Sequence, residues 1–256
     1  MPDRRPPAPP EIDATFAVAG HEIYLHCSGG PGPTVIFEAA VGEDHTNWST
    51  IAERLRDRAF ACVYDRTGVG RSTRPKPTLA AADHVAQLHE LLEVAGVPRP
   101  VLLVGHSYGG LVALMEAAAH PEDVAGLILV DSSHPHQDER IRGVLTDEQI
   151  RAMDEYMQHI AEVVDWTASV QQGAMAYGQL PAIPLTVISA TRRETFDDDP
   201  PAFPYDAVRQ VWSALQAEHA RLQPNARHVL AEAGHYVHVD DPDLVVEEIL
   251  RMLVAL

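Results

Sequence analysis

The residues of this chain best suited to chemistry are Gly105-His106-Ser107-Tyr108-Gly109. They follow the apolar run Val101-Leu102-Leu103-Val104 and lead into Gly110-Leu111-Val112-Ala113-Leu114-Met115-Glu116-Ala117-Ala118-Ala119, a stretch of good helix formers. A serine between two glycines at a strand-to-helix junction reads as a nucleophile elbow. Side chains two residues either side of the serine would collide in so sharp a turn. Glycine is therefore needed at 105 and 109, and Gly110 lets the helix pack closely. The first helical turn directs its free N–H groups and the positive end of its dipole at Ser107. The chemistry expected is attack by a serine hydroxyl, which is a weak nucleophile near neutral pH until a base takes its proton.

The elements that must position this serine alternate along the chain. Strand-like runs fall at Thr15–Val18, Glu22–Cys27, Thr34–Ala39, Ala61–Tyr64, Val101–Val104, Gly126–Val130, Leu185–Ser189 and Arg227–Ala231. Helical patterns lie near Trp48–Arg56, Leu79–Ala95, Tyr108–Ala119, Tyr205–Leu222 and Asp243–Leu256, and Pro121, Pro184, Pro204 and Pro242 mark boundaries. The pattern predicts an α/β fold: a mostly parallel eight-stranded sheet with helices on both faces. Residues 134–180 break the alternation. Thr146-Asp147-Glu148-Gln149 reads there as a capping box, and Met153, Tyr156, Met157, Ile160, Val163 and Val164 recur at helical spacing. This stretch is expected to be a helical lid, inserted in a core formed by residues 14–133 and 181–256.

At 256 residues, with 46% hydrophobic and 22% charged, the chain suits one large domain with a substantial core. Its 19 basic and 37 acidic residues give a formal charge of −18, which repels phosphate backbones and anionic membranes. The expected partner is a small-molecule substrate, with neither nucleic acid nor membrane. No run approaches the ~18 apolar residues of a membrane span. The opening Met1–Pro10 has basic residues with no apolar segment behind them, so residues 1–13 read as a flexible proline-rich tail and the location as cytoplasmic. Cys27 and Cys62 each lie in an apolar strand-like run and read as buried, reduced thiols. No paired Cys/His spacing suggests a metal, and no cofactor is expected.

Two further segments join the elbow. Tyr64-Asp65-Arg66-Thr67-Gly68-Val69-Gly70-Arg71-Ser72 is similar to the D-x-x-G-x-G-x-S turn of the α/β-hydrolase family. Ala233-Gly234-His235-Tyr236-Val237-His238, followed by Asp241-Pro242, resembles that family's late G-H segment and final helix. The resemblance runs from about residue 14 onward. It implies that His235 is the base, with His238 as the nearest competitor. The acid of many relatives follows the strand before the histidine's strand. An arginine stands about where that acid would fall here, with Glu194 one place later. Asp131, at the end of Gly126–Val130, occupies an alternative position used by some relatives, certain dehalogenases among them. It is preferred, with Glu194 second.

By position the resemblance assigns the oxyanion hole to the backbone N–H groups of Tyr108 and Ala40, although relatives often carry His-Gly where this chain has Glu38-Ala39-Ala40. Glu38 is a candidate partner for Arg66 beneath the site. The activity implied is a serine hydrolase cleaving carboxylic esters of a small, apolar or aromatic substrate through a Ser107 acyl-enzyme. A thioesterase or lactonase would use the same triad, and a ligand-binding pseudo-hydrolase is the alternative of another class. Met153, Tyr156, Met157, Trp166 and Tyr177 are the candidates for lining the pocket.

Overall fold

Alternate residues of the central strands feed two separate cores, because successive side chains of a strand point to opposite faces. Val101, Leu103, Leu127 and Leu129 pack with Leu88, Leu91, Ala113, Leu114 and Ala117 on one face. Leu102, Val104, Ile128 and Val130 pack with Trp48, Ile51, Leu55, Val245 and Ile249 on the other. Strands buried on both faces read as the continuous apolar runs seen in the sequence. This computed structural model describes residues 7–75, 78–158, 164–192 and 203–256.

The strands are β1 (Ile12–Val18), β2 (His21–Gly29), β3 (Thr34–Glu38), β4 (Phe60–Tyr64), β5 (Val101–His106), β6 (Val124–Val130), β7 (Leu185–Ala190) and β8 (Arg227–Ala231). They form one eight-stranded sheet in the order β1-β2-β4-β3-β5-β6-β7-β8. Pairing is antiparallel from β1 through β2 to β4 and parallel across the remaining strands. Helices α2 (Ala81–Val94) and α3 (Tyr108–Ala119) lie on the first face, and α1 (Thr46–Arg54) and α9 (Pro242–Ala255) on the second. β1 begins at Ile12, within the stretch expected to be tail.

Between β6 and β7 the chain forms α4 (Gln137–Arg142), α5 (Asp147–Gln158) and α6 (Trp166–Ala176). The capping box opens α5: Thr146 N–H donates to Gln149 Oε1 at 2.8 Å and Gln149 N–H to Thr146 Oγ1 at 3.3 Å. Helix α6 is fixed to the elbow helix, because a Cβ on Gly173 would stand 2.5 Å from Leu111 Cδ1. Ser169 Oγ adds a bond from Ala81 N–H at 2.9 Å. Helices α7 (Tyr205–His219) and α8 (Val237–Asp240) complete the described elements.

One expectation needs correction. Cys27 and Cys62 are fully buried, as expected, but they are bonded to each other. They stand directly opposite on antiparallel β2 and β4, with Cα atoms 4.0 Å apart. Strand register created this proximity across 35 residues of sequence.

Candidate active site

The carboxyl ends of β5, β6 and β8 converge, and each carries a residue singled out by the sequence. Ser107 follows β5 with φ 51° and ψ −122°, a backbone conformation that L-residues rarely adopt. Such a conformation costs on the order of 1–3 kcal/mol and persists only where neighbours hold it. Here Ser107 N–H donates to Val130 O at 3.2 Å, while Ser107 O accepts from Gly110 N–H and Ser133 N–H, both at 2.9 Å. The flanking glycines answer to close approach. A Cβ on Gly105 would come within 2.6 Å of Gly109 O, and one on Gly109 within 2.4 Å of the Glu38 and Ala39 carbonyl oxygens.

Asp131 directly follows β6, and His235 follows β8. His235 Nδ1 is 2.7 Å from Asp131 Oδ2, and the carboxylate's other oxygen accepts from Ala190 N–H at 3.0 Å. A carboxylate at 2% exposure holds the Nδ1–H tautomer, leaving Nε2 as the basic nitrogen. His238 takes no part in this contact. It stacks on Trp48, with ring centroids 4.2 Å apart, and its Nε2 meets Asn47 Oδ1. Burial lowers the pKa of His106 and of His238 to about 3, so both are neutral near pH 7. His106 Nε2–H donates to the His235 carbonyl at 2.9 Å and so fixes the backbone of the turn that carries the imidazole. Glu194 lies outside the described residues.

Beneath the site, buried Arg66 organises the loop after β3. Its Nη1 donates to Glu38 Oε2 at 3.0 Å and Ala39 O at 2.7 Å, and its Nη2 donates to Ala40 O at 2.6 Å. Tyr64 OH also donates to Glu38. Burial, followed by the Glu38 charge, holds that phenol well above its ordinary pKa. The Glu38–Arg66 pairing weighed in the sequence is therefore present. Ala40 borders the cavity, and its N–H donates to Glu43 Oε2 at 3.3 Å. Burial raises the pKa of Glu43, opposed by His238, the Ala40 N–H and His235. Tyr108 starts α3 with its ring fully buried, 5.8 Å from the Trp166 ring, and the Arg66 guanidinium lies 5.3 Å from its centroid.

The Asp65 turn is structural. Asp65 Oδ1 accepts from His45 N–H at 2.7 Å and its Oδ2 accepts from Arg71 N–H at 2.8 Å. Gly70 has φ 53°, and a Cβ there would lie 2.2 Å from Asp65 Oδ2.

A family model for the alpha/beta hydrolase family matches residues 23–248, nearly the whole chain. The chain belongs to the α/β-hydrolase family. It is 26% identical over 237 residues to YqjL of Bacillus subtilis strain 168, covering 91% of this chain and 89% of that protein. Over 125 residues it is 35% identical to Lipase LipV of Mycobacterium tuberculosis, which covers 48% of this chain and 47% of LipV. Among solved structures, the enol-lactonase from Burkholderia xenovorans LB400 superposes with a TM-score of 0.65 at 19% identity. That alignment covers 94% of this chain and 99% of the other, a likeness of fold.

In this α/β-hydrolase, Ser107, Asp131 and His235 open onto a cavity of about 830 Å³. Of the pocket residues expected from the sequence, Met153 and Trp166 line it. Tyr177 is not among the lining residues and packs against His134 and His219, with centroids 4.6 and 5.5 Å away. The side chains of Tyr156 and Met157 lie outside the described residues. The sequence reading missed Tyr205, Val208 and Trp212, which line the cavity from α7. Their 205/208/212 spacing marks one helix face. Trp212 lies edge-on to His235 at 5.7 Å and 79°, and its buried indole N–H has no hydrogen-bond partner among the described residues.

Proposed function

We propose that this α/β-hydrolase is a serine hydrolase that cleaves carboxylic esters of small, apolar or aromatic substrates through a Ser107 acyl-enzyme. The observation that carries the reading is the 2.7 Å contact between Asp131 and His235 Nδ1 on the cavity wall that also holds Ser107. His235 Nε2 takes the Ser107 proton as Oγ attacks the ester carbonyl carbon. The oxyanion is stabilised by backbone N–H groups, assigned to Tyr108 and Ala40. For Ala40 to serve, substrate must displace the Glu43 carboxylate from its N–H. His235 then gives its proton to the departing alkoxide as the C–O bond breaks. A water molecule, deprotonated by His235, hydrolyses the acyl-enzyme.

Helices α4, α5 and α6 act as a lid in this reading, with Met153 and Trp166 presenting apolar surface to the acyl or alcohol portion. The Trp212 N–H, without a partner among the described residues, supplies a donor for a substrate oxygen. A fluorophosphonate probe should label Ser107, and Ser107→Ala should abolish both labelling and turnover of p-nitrophenyl esters. Labelling with no turnover of any ester, thioester or lactone would instead identify a receptor. Faster turnover of thioesters or lactones would move the assignment to a thioesterase or lactonase.

A further inference from the structure

Away from the catalytic cavity, α2 and α3 with the residue that follows it bring three potential metal ligands together, and Asp123, in the short turn Pro121–Asp123, stands beside them. The donor atoms of His89, Glu116 and His120 lie within 4.8 Å of one another. His89 Nδ1 stands 3.4 Å from Glu116 Oε1 and 3.7 Å from Asp123 Oδ2, yet it makes no hydrogen bond among the described residues. Two ligands about 2.1 Å from a tetrahedral zinc ion are themselves about 3.4 Å apart. The imidazoles of His89 and His120 stack with centroids 3.6 Å apart at 15°, so one ring must turn for both in-plane lone pairs to reach a common ion.

Glu116 supplies the second observation. Only 1% exposed, it leaves Oε2 without a hydrogen-bond partner among the described residues. A buried carboxylate is tolerated when a charge or hydrogen bonds compensate it. The nearby cation, Arg99, is bonded instead to Asp123 at 2.6 Å. A divalent ion would give the buried Glu116 carboxylate the partner that its Oε2 lacks among the described residues.

We propose that His89, Glu116 and His120, with Asp123 as fourth ligand, bind a divalent transition-metal ion of the zinc class and clamp α2 to the elbow helix α3. Two imidazoles and two carboxylates suit zinc or its neighbours, whereas calcium and magnesium prefer an all-oxygen set. The ion would act as a clamp with no step in ester cleavage, so its test does not depend on activity.

Metal-stripped, tag-free protein should be dialysed against zinc and analysed for metal content, with Co²⁺ absorption spectra and thermal unfolding in parallel. The expected result is a single zinc per chain and a Tm rise of about 5 °C at a hundredfold excess over Kd. Glu116→Gln and His89→Phe should each weaken binding at least ~100-fold, the upper end of what losing a residue that merely supports a ligand produces. Glu43→Gln, which alters the cluster of Glu43, His106 and His238, should leave zinc binding unchanged. Absence of stoichiometric zinc overturns the proposal. So does zinc that survives both substitutions, or zinc that is lost in Glu43→Gln instead. Should Glu116→Gln fail to fold, His89→Phe and His120→Phe, at less buried positions, decide the matter.

Discussion

Replacing Asp131 by asparagine tests the proposed mechanism at the point where the geometry is most demanding. The carboxylate accepts two hydrogen bonds, from His235 Nδ1–H at 2.7 Å through Oδ2 and from Ala190 N–H at 3.0 Å through Oδ1. An amide offers a single acceptor. If its oxygen stays on Ala190, the NH₂ faces Nδ1 and forces the imidazole into the Nε2–H tautomer, which cannot take a proton from Ser107. If its oxygen turns to His235, the NH₂ is set against the Ala190 N–H. The first arrangement satisfies every group, so the inactive tautomer dominates. Loss of the charge that stabilises the imidazolium adds to this, and kcat/KM should fall by roughly 10²–10⁴, or about 3–5.5 kcal/mol of transition-state stabilisation. Asp131→Ala leaves the tautomer free, and it should therefore retain more activity than Asp131→Asn. Steady-state kinetics on the best p-nitrophenyl ester, with circular dichroism to verify folding, distinguish these outcomes. An Asp131→Asn variant with near-native kcat, beside an inactive Glu194→Gln, would refute the reasoning and move the acid to Glu194.

Other consequences follow from the same structure. Arg66→Met strands the buried Glu38 carboxylate and frees two loop carbonyls, so it should cost about 3–5 kcal/mol in urea unfolding. Trp212→Phe keeps the ring edge against His235 but removes the indole N–H, and it should raise KM about tenfold with a smaller change in kcat. The Cys27–Cys62 bond closes a 35-residue interval, and Cys27→Ala should lower stability by about 3–4 kcal/mol relative to the oxidised protein. A thiol assay on denatured protein should find no free cysteine, whereas residence in a reducing cytoplasm would leave both free. Buried His106, His219 and His238, lowered to about 3, and His134, lowered to about 4, bind protons only on unfolding when the pH lies between those values and 6.5. Stability should therefore fall as pH drops below about 6.5, each histidine adding a slope of about 1.4 kcal/mol per pH unit, and His219→Gln should flatten the curve.

What the sequence disclosed follows from the range over which each signal acts. The strand, elbow and helix around Ser107 are contiguous, and the steric demands on Gly105 and Gly109 arise within that one turn. The position of Asp131 at a strand's end was likewise local, because β6 is one apolar run cut off by a charge. The disulfide was not local, since it depends on which residues of β2 and β4 come to face each other. Nor was the α7 wall. Tyr205, Val208 and Trp212 make an apolar stripe that would suit packing on the sheet equally well, and the stripe says nothing about which surface it meets. Tyr177 shows the converse, for an aromatic residue in the segment expected to cover the site turns instead toward His134 and His219. Helical periodicity assigns a residue to a face, whereas lining a pocket depends on what stands opposite that face. For the same reason the bond from Ala40 N–H to Glu43 was invisible beforehand. It arises when the loop after β3 turns back on itself, with Arg66 holding the carbonyls and Glu43 taking the amide. In the proposed mechanism substrate competes for that N–H with a carboxylate of the protein's own chain, so Glu43→Gln should lower KM, and an unchanged KM in steady-state kinetics would refute the competition.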